Sequence, residues 1–160
     1  MRYRQAMADD GIDRLEHDHI ALSQRVLAVR SAVSRLQRGE DVDAAETVAA
    51  LALLADDLFE HFAREEEFLF PYIVAELPDQ EPQVAQMQAA HDRICGAASR
   101  IVALAERGPL AEQLALVLPL FARFDAEYMA HAQREAEFLR ELASRLTTEQ
   151  RRALAALLTE

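Results

Sequence analysis

A ten-residue pattern occurs twice in this chain, as HFAREEEFLF from His61 and as HAQREAEFLR from His131, with six of the ten positions identical. In each copy a glutamate, Glu65 or Glu135, follows the histidine by four residues. On a helix that spacing puts an imidazole and a carboxylate on one face, about a turn apart and aimed at a common point. A further histidine stands upstream of each copy, His19 before His61 and His91 before His131. The order His, then His plus Glu, is therefore duplicated, and any fold that accepts both copies must bring matching faces together.

The rest of the chain supplies faces for such helices. It has 160 residues, 51% hydrophobic and 28% charged, with four glycines and an abundance of Ala, Leu, Glu and Arg, which are strong helix formers. The reading is an all-α, antiparallel up-and-down four-helix bundle with a short fifth helix at the C-terminal end. One domain is expected over 1–160, with the bundle over about 10–146 and the last helix over about 148–158. Asp9 or Asp10 is the expected cap of the first helix, and Gly39 its stop. Asp41 or Asp43 should cap the second. Pro71 is expected to kink the second helix and Pro78 to end it. The third helix closes at Gly108-Pro109, and Pro119 should kink the fourth near Ala115 to Leu118. Thr147 followed by Gln150 has capping-box form.

Apolar residues alternate at spacings of three and four along each long helix, which defines a seam. The seams contain Leu15, Leu22 and Val26; Leu51, Leu54 and Leu58; Val84, Met87 and Ile94; and Val117, Phe121, Phe124 and Tyr128. His19, His61, Glu65, His91, His131 and Glu135 fall on the same seams. Ionised carboxylates among leucines and phenylalanines cost several kcal/mol or more each if nothing compensates them, against a total stability of about 5–15 kcal/mol. A divalent cation compensates them directly, taking neutral imidazole and ionised carboxylate as ligands. Four His and two Glu can serve two ions with the carboxylates bridging, and leave room for water or a small exogenous ligand.

With these residues in view, the chain resembles the hemerythrin family, specifically the HHE cation-binding domain, over roughly Ile12 to Leu142. The similarity rests on DHIAL around His19, HFAREEEFLFP around His61, AHDRI around His91 and HAQREAEFL around His131. It implies a non-haem di-iron centre with oxo or hydroxo bridging, His19, His61, His91 and His131 as terminal ligands, and Glu65 and Glu135 as bridges. Zinc or manganese are the expected substitutes. Oxygen-carrying members have a second histidine on the third helix where this chain has Cys95, and an aspartate five residues after the last histidine where this chain has Glu135 at four. The ligand set is closer to HHE domains of iron-sensing and iron–sulfur repair proteins, so the resemblance implies an open site for dioxygen, peroxide or nitric oxide rather than oxygen carriage. Two alternatives stand beside it: an enzyme acting on peroxide or nitric oxide, and a metal-free helical interaction module.

Other residues are weighed against that reading. Cys95 is a small buried hydrophobe first, and a weak extra ligand or redox-sensitive thiol second. Tyr128, one turn before His131, either fills core or hydrogen-bonds a bound oxygen species. His17 points away from His19. Glu66 and Glu67 are expected on a solvated face, and Phe68 and Phe138 as apolar walls of the site. The formal charge of −11 argues against a sequence-independent hold on nucleic acid. The longest apolar run, Leu114 to Ala122, is well short of the ~18 residues that span a bilayer. The lone Cys95 allows no intrachain disulfide, MRYRQAMADDG lacks the apolar stretch of a secretion signal, and a cytoplasmic location is expected. No protein partner is indicated.

Overall fold

Helix boundaries follow from local signals along the chain. The computed structural model describes residues 11–158, so the caps expected at Asp9 and Asp10 lie outside the described residues. α1 (Gly11–Gln37) ends where Gly39 adopts φ 71°. There the Gly39 N–H donates to Leu36 C=O and the Glu40 N–H to Arg35 C=O, both at 3.0 Å, the paired bonds of a Schellman stop. α2 (Ala44–Arg64) is capped by Asp43, whose side chain accepts from the Glu46 N–H at 3.0 Å.

Where the sequence predicts a kink at Pro71, the helix takes up a π-turn over Glu65–Leu69 before continuing as α3 (Phe70–Glu76). The Phe70 N–H donates to Glu65 C=O, five residues back. Pro71 has no N–H to offer the carbonyl four residues before it, and its ring crowds that turn; a wider turn relieves both effects. Pro78 then ends the segment in a single 3₁₀ turn, Pro78–Gln80, before α4 (Glu81–Ala105). α5 (Leu110–Arg145) continues through Pro119 without a break, and α6 (Thr148–Leu157) begins at the full capping box of Thr147 and Gln150.

Cross-helix bonds fix the topology. Ser23 and Arg30 on α1 pair with Tyr128 and Asp125 on α5, Asp18 and Arg25 with Arg64 and Asp57 on α2, and Asp79 just before α4 and Arg93 on α4 with Arg145 and Glu127 on α5. In every case the numbers rise on one helix as they fall on the other, so α1, α2, α4 and α5 pack antiparallel as an up-and-down bundle. α6 folds back over one end, where Tyr72 Oη donates to Gln150 C=O at 2.9 Å. Gly11 permits this closure, since a Cβ there would meet the Ala155 backbone nitrogen at 2.8 Å. All described regular structure is helical, and among the described residues no helix is long and apolar enough to cross a membrane.

The apolar core is divided in two. One cluster includes Leu22, Val26, Leu51, Leu58, Ile94, Phe121, Phe124 and Tyr128, and the other Ile12, Leu15, Leu69, Ile73, Val84, Met87, Phe138 and Leu142. The polar seam residues lie between them.

Candidate metal centre

The layer between the two cores is built from all four long helices. α1 contributes His19, α2 His61, the π-turn Glu65, α4 His91, and α5 His131 and Glu135. Five of these are buried: Glu65 retains 0% exposure, His91 and His131 2%, Glu135 4% and His61 8%. The structure thus brings together all six residues singled out from the sequence.

Their functional atoms converge. His19 Nε2 lies 3.1 Å from Glu65 Oε1 and 3.2 Å from Glu135 Oε2. His61 Nε2 is 3.1 Å from Glu65 Oε1, His91 Nε2 3.3 Å from Glu65 Oε2, and His131 Nε2 3.4 Å from Glu135 Oε2. The rings of His19 and His61 meet edge to face at 4.7 Å, and those of His91 and His131 at 4.8 Å. Two four-residue groups result, His19, His61, Glu65 and Glu135, and His91, His131, Glu65 and Glu135. Within each, one ligand atom per residue lies within 4.8 Å of the others. The two carboxylates belong to both.

This geometry satisfies few of the polar atoms it buries. His61 Nε2, His91 Nε2, His131 Nε2, Glu65 Oε2 and Glu135 Oε1 have no hydrogen-bond partner, although several face one another at close range. Unpaired buried donors and acceptors are costly and rare in folded proteins. Here they are concentrated on one point and are of the types that bind cations, so the residues present fit a metal pair.

Electrostatics make the two carboxylates unequal. Burial opposes ionisation of Glu65, but the imidazoles of His19, His61 and His91 close around it outweigh that and hold its carboxyl well below the usual range. Glu135 is pushed upward by burial and then by the charge of Glu65. For His19 burial favours the neutral ring, yet Glu65 and Glu135 together raise its affinity for a proton; His91 is raised in the same way by Glu65. Without a cation, protons are drawn into the layer; a metal ion replaces them.

Two features depart from the sequence reading, and Cys95 takes the place first expected for it. Glu66, expected on a solvated face, turns its Oε1 to within 2.8 Å of His91 Nδ1. Its carboxylate accepts the Nδ1 hydrogen and leaves Nε2 free for a metal, the usual second contact of a ligating histidine. The rings against His91 are Phe62, stacked at 3.8 Å and 9°, and Phe70 at 5.5 Å and 20°, rather than Phe68. The Phe70 contact follows from the π-turn, which rotates less per residue than an α-turn and so re-aims the side chains that follow it. The visible clue was a proline six residues beyond Glu65. Cys95 packs against the first apolar cluster and belongs to neither four-residue group. Burial, with Glu66 and Asp92 nearby, pushes its thiol up to about 11, so it stays protonated. His17 is exposed.

The layer is open on one side. Between α1 and α5 a cavity of about 310 Å³ reaches His19, His61, His131 and Glu135, with Tyr128 in its wall. Tyr128 Oη is 3.0 Å from Ser23 Oγ. Burial, and then the charges of Glu135 and Glu65, raise the phenol against the opposing Ser23 bond, so it keeps its proton.

No curated protein and no solved structure matches the chain significantly. The family model described as "Hemerythrin HHE cation binding domain" matches residues 10–143, a stretch that contains all six converging residues, and the chain belongs to that family.

Proposed function

We propose that this chain holds two iron ions in its central layer and binds dioxygen, peroxide or nitric oxide there, for sensing, scavenging or iron handling. His19 and His61 serve one ion, His91 and His131 the other, and Glu65 and Glu135 bridge them. The observation that carries this reading is the pair of four-residue groups sharing two carboxylates, with a cavity that reaches His19, His61, His131 and Glu135. Cation binding follows from the family; the choice of iron rests on the family resemblance and on a nitrogen- and oxygen-rich donor set with room for a further ligand.

When bound, such a metal pair supplies Lewis acidity and a reversible change of oxidation state. The chain does the rest. Phe62 and Phe70 stack against His91, and Glu66 fixes its tautomer. Tyr128, held by Ser23, keeps a phenolic proton beside the cavity for an incoming oxygen ligand. Zinc competes for the same donors, because it ranks above iron in general affinity.

The test is optical. Protein reconstituted with ferrous iron without air, then exposed to air and azide, should develop charge-transfer bands in the near-ultraviolet and visible. A featureless spectrum with iron verified in place would contradict the reading.

A further inference from the structure

Dioxygen, hydrogen peroxide and nitric oxide are each close to water in size, and a water occupies about 30 Å³ of liquid. The cavity between α1 and α5 has about 310 Å³, room for roughly ten such groups and at the lower end of the range for small organic ligands. Apart from Gln24 at the exposed edge its walls are mainly apolar, with Ile20, Leu22 and Leu27 from α1 and Ala132 and Ala136 from α5. Ser23 and Tyr128 are hydrogen-bonded to each other. At the rim Ile20 and Leu27 stay 58% and 53% exposed, although their helix has ample charged positions. At the floor three polar atoms lack hydrogen-bond partners, His61 Nε2, His131 Nε2 and Glu135 Oε1, on side chains more than nine-tenths buried.

A second approach to the same end of the layer is of opposite character. Between α1 and α2 a cleft of about 170 Å³ also reaches His61, and it is lined by Asp18, Arg25, Asp57, Glu60 and Arg64. Its charged lining suits ions and water. An apolar passage of the larger volume is superfluous for a diatomic ligand, and its chemistry suits a hydrocarbon chain.

We infer that the metal centre takes an organic ligand with an oxygen head, a carboxylate or hydroperoxide, and an apolar tail of about four to eight carbons lying between Ile20, Leu27 and Ala132. This rests on the metal reading above and names the class of ligand that site accepts. The head binds at the His19 and His61 side, where the cavity meets the layer, and the tail displaces water from the apolar walls. Ala132 and Ala136, four residues apart on α5, leave the space a larger side chain would fill.

The experiment is calorimetric titration of zinc-loaded protein, which is redox-silent, with straight-chain carboxylates from acetate to octanoate, with hexyl hydroperoxide and with azide. Affinity should rise about fourfold per methylene until the tail reaches the rim. Ala132→Leu should flatten that rise and Leu27→Glu should weaken only the longer chains, both leaving azide binding unchanged. Stronger binding of hexanoate than of hexyl hydroperoxide identifies a carboxylate as the preferred head, and the reverse a hydroperoxide. Equal affinity for acetate and hexanoate in protein that binds azide overturns the inference and leaves the metal reading intact. Failure to retain zinc removes the metal reading and the inference with it.

Discussion

The two halves of the polar layer use the same ligand types in different surroundings. His91 and His131 are 2% exposed, ringed by Phe62 and Phe70, and His91 is held through its far nitrogen by Glu66. His19 keeps 18% of its side chain exposed beside a cavity, and its Nε2 is shared between Glu65 and Glu135. One half is therefore positioned in advance, its rings held by packing and the His91 tautomer by Glu66. The other is open and adjusts to what enters. The duplicated sequence motif has become an asymmetric site: the π-turn after its first copy brings Phe70 to His91, while the space between α1 and α5 opens the layer at His19.

The strongest way to break this comparison is to remove what the halves share. Glu65→Ala should abolish metal retention in both groups at once, read by metal analysis after gel filtration, whereas His19→Ala should leave the buried group loaded. If Glu65→Ala kept a full complement of metal, the bridging role would be lost.

A smaller effect sharpens it. Glu66→Gln removes the carboxylate behind His91, and loss of such a contact typically costs about 10- to 100-fold in metal affinity. The loss should fall on one ion only, so competition titration with a chelator should change from one affinity class toward two. A uniform loss across both ions would assign Glu66 a general structural role.

The smallest effect is in pH. Folded, metal-free protein holds protons on Glu135, His19 and His91 to higher pH than the unfolded chain does. Those groups stabilise the fold fully below their unfolded values, 4.5 for Glu and 6.5 for His, and the contribution is lost as pH rises through the folded ones. Glu65 works in the opposite sense, losing its contribution as pH falls below its unfolded value of 4.5. Between about pH 6 and 8 the Tm of metal-free protein should therefore fall by a few degrees. Metal-loaded protein should not follow it, because binding requires deprotonated ligands and strengthens as pH rises. A parallel fall in both forms would place the titrating groups outside the layer.

Much of this site was legible because five of its six residues lie on uninterrupted helices. There the seam phase of neighbouring leucines fixes where an imidazole points, and four-residue spacing carries that phase from His131 to Glu135. Caps were legible for the same local reason, as at Asp43 and Thr147. What the pattern could not carry was a change of helical period. Phe70 lies off the seam at 3.6 residues per turn and comes to His91 because the turn before Pro71 is wider. Side-chain exposure was the other gap, since periodicity treats His19 and His91 alike while the space between α1 and α5 depends on how Ala132 and Ala136 pack across from Leu27.

Anomalous X-ray diffraction at the iron edge from crystals of iron-loaded protein tests the central claim most directly. Two peaks should appear, one near His19 and His61 and one near His91 and His131, with Glu65 and Glu135 between them. A single peak, or metal held by residues outside these six, would contradict it.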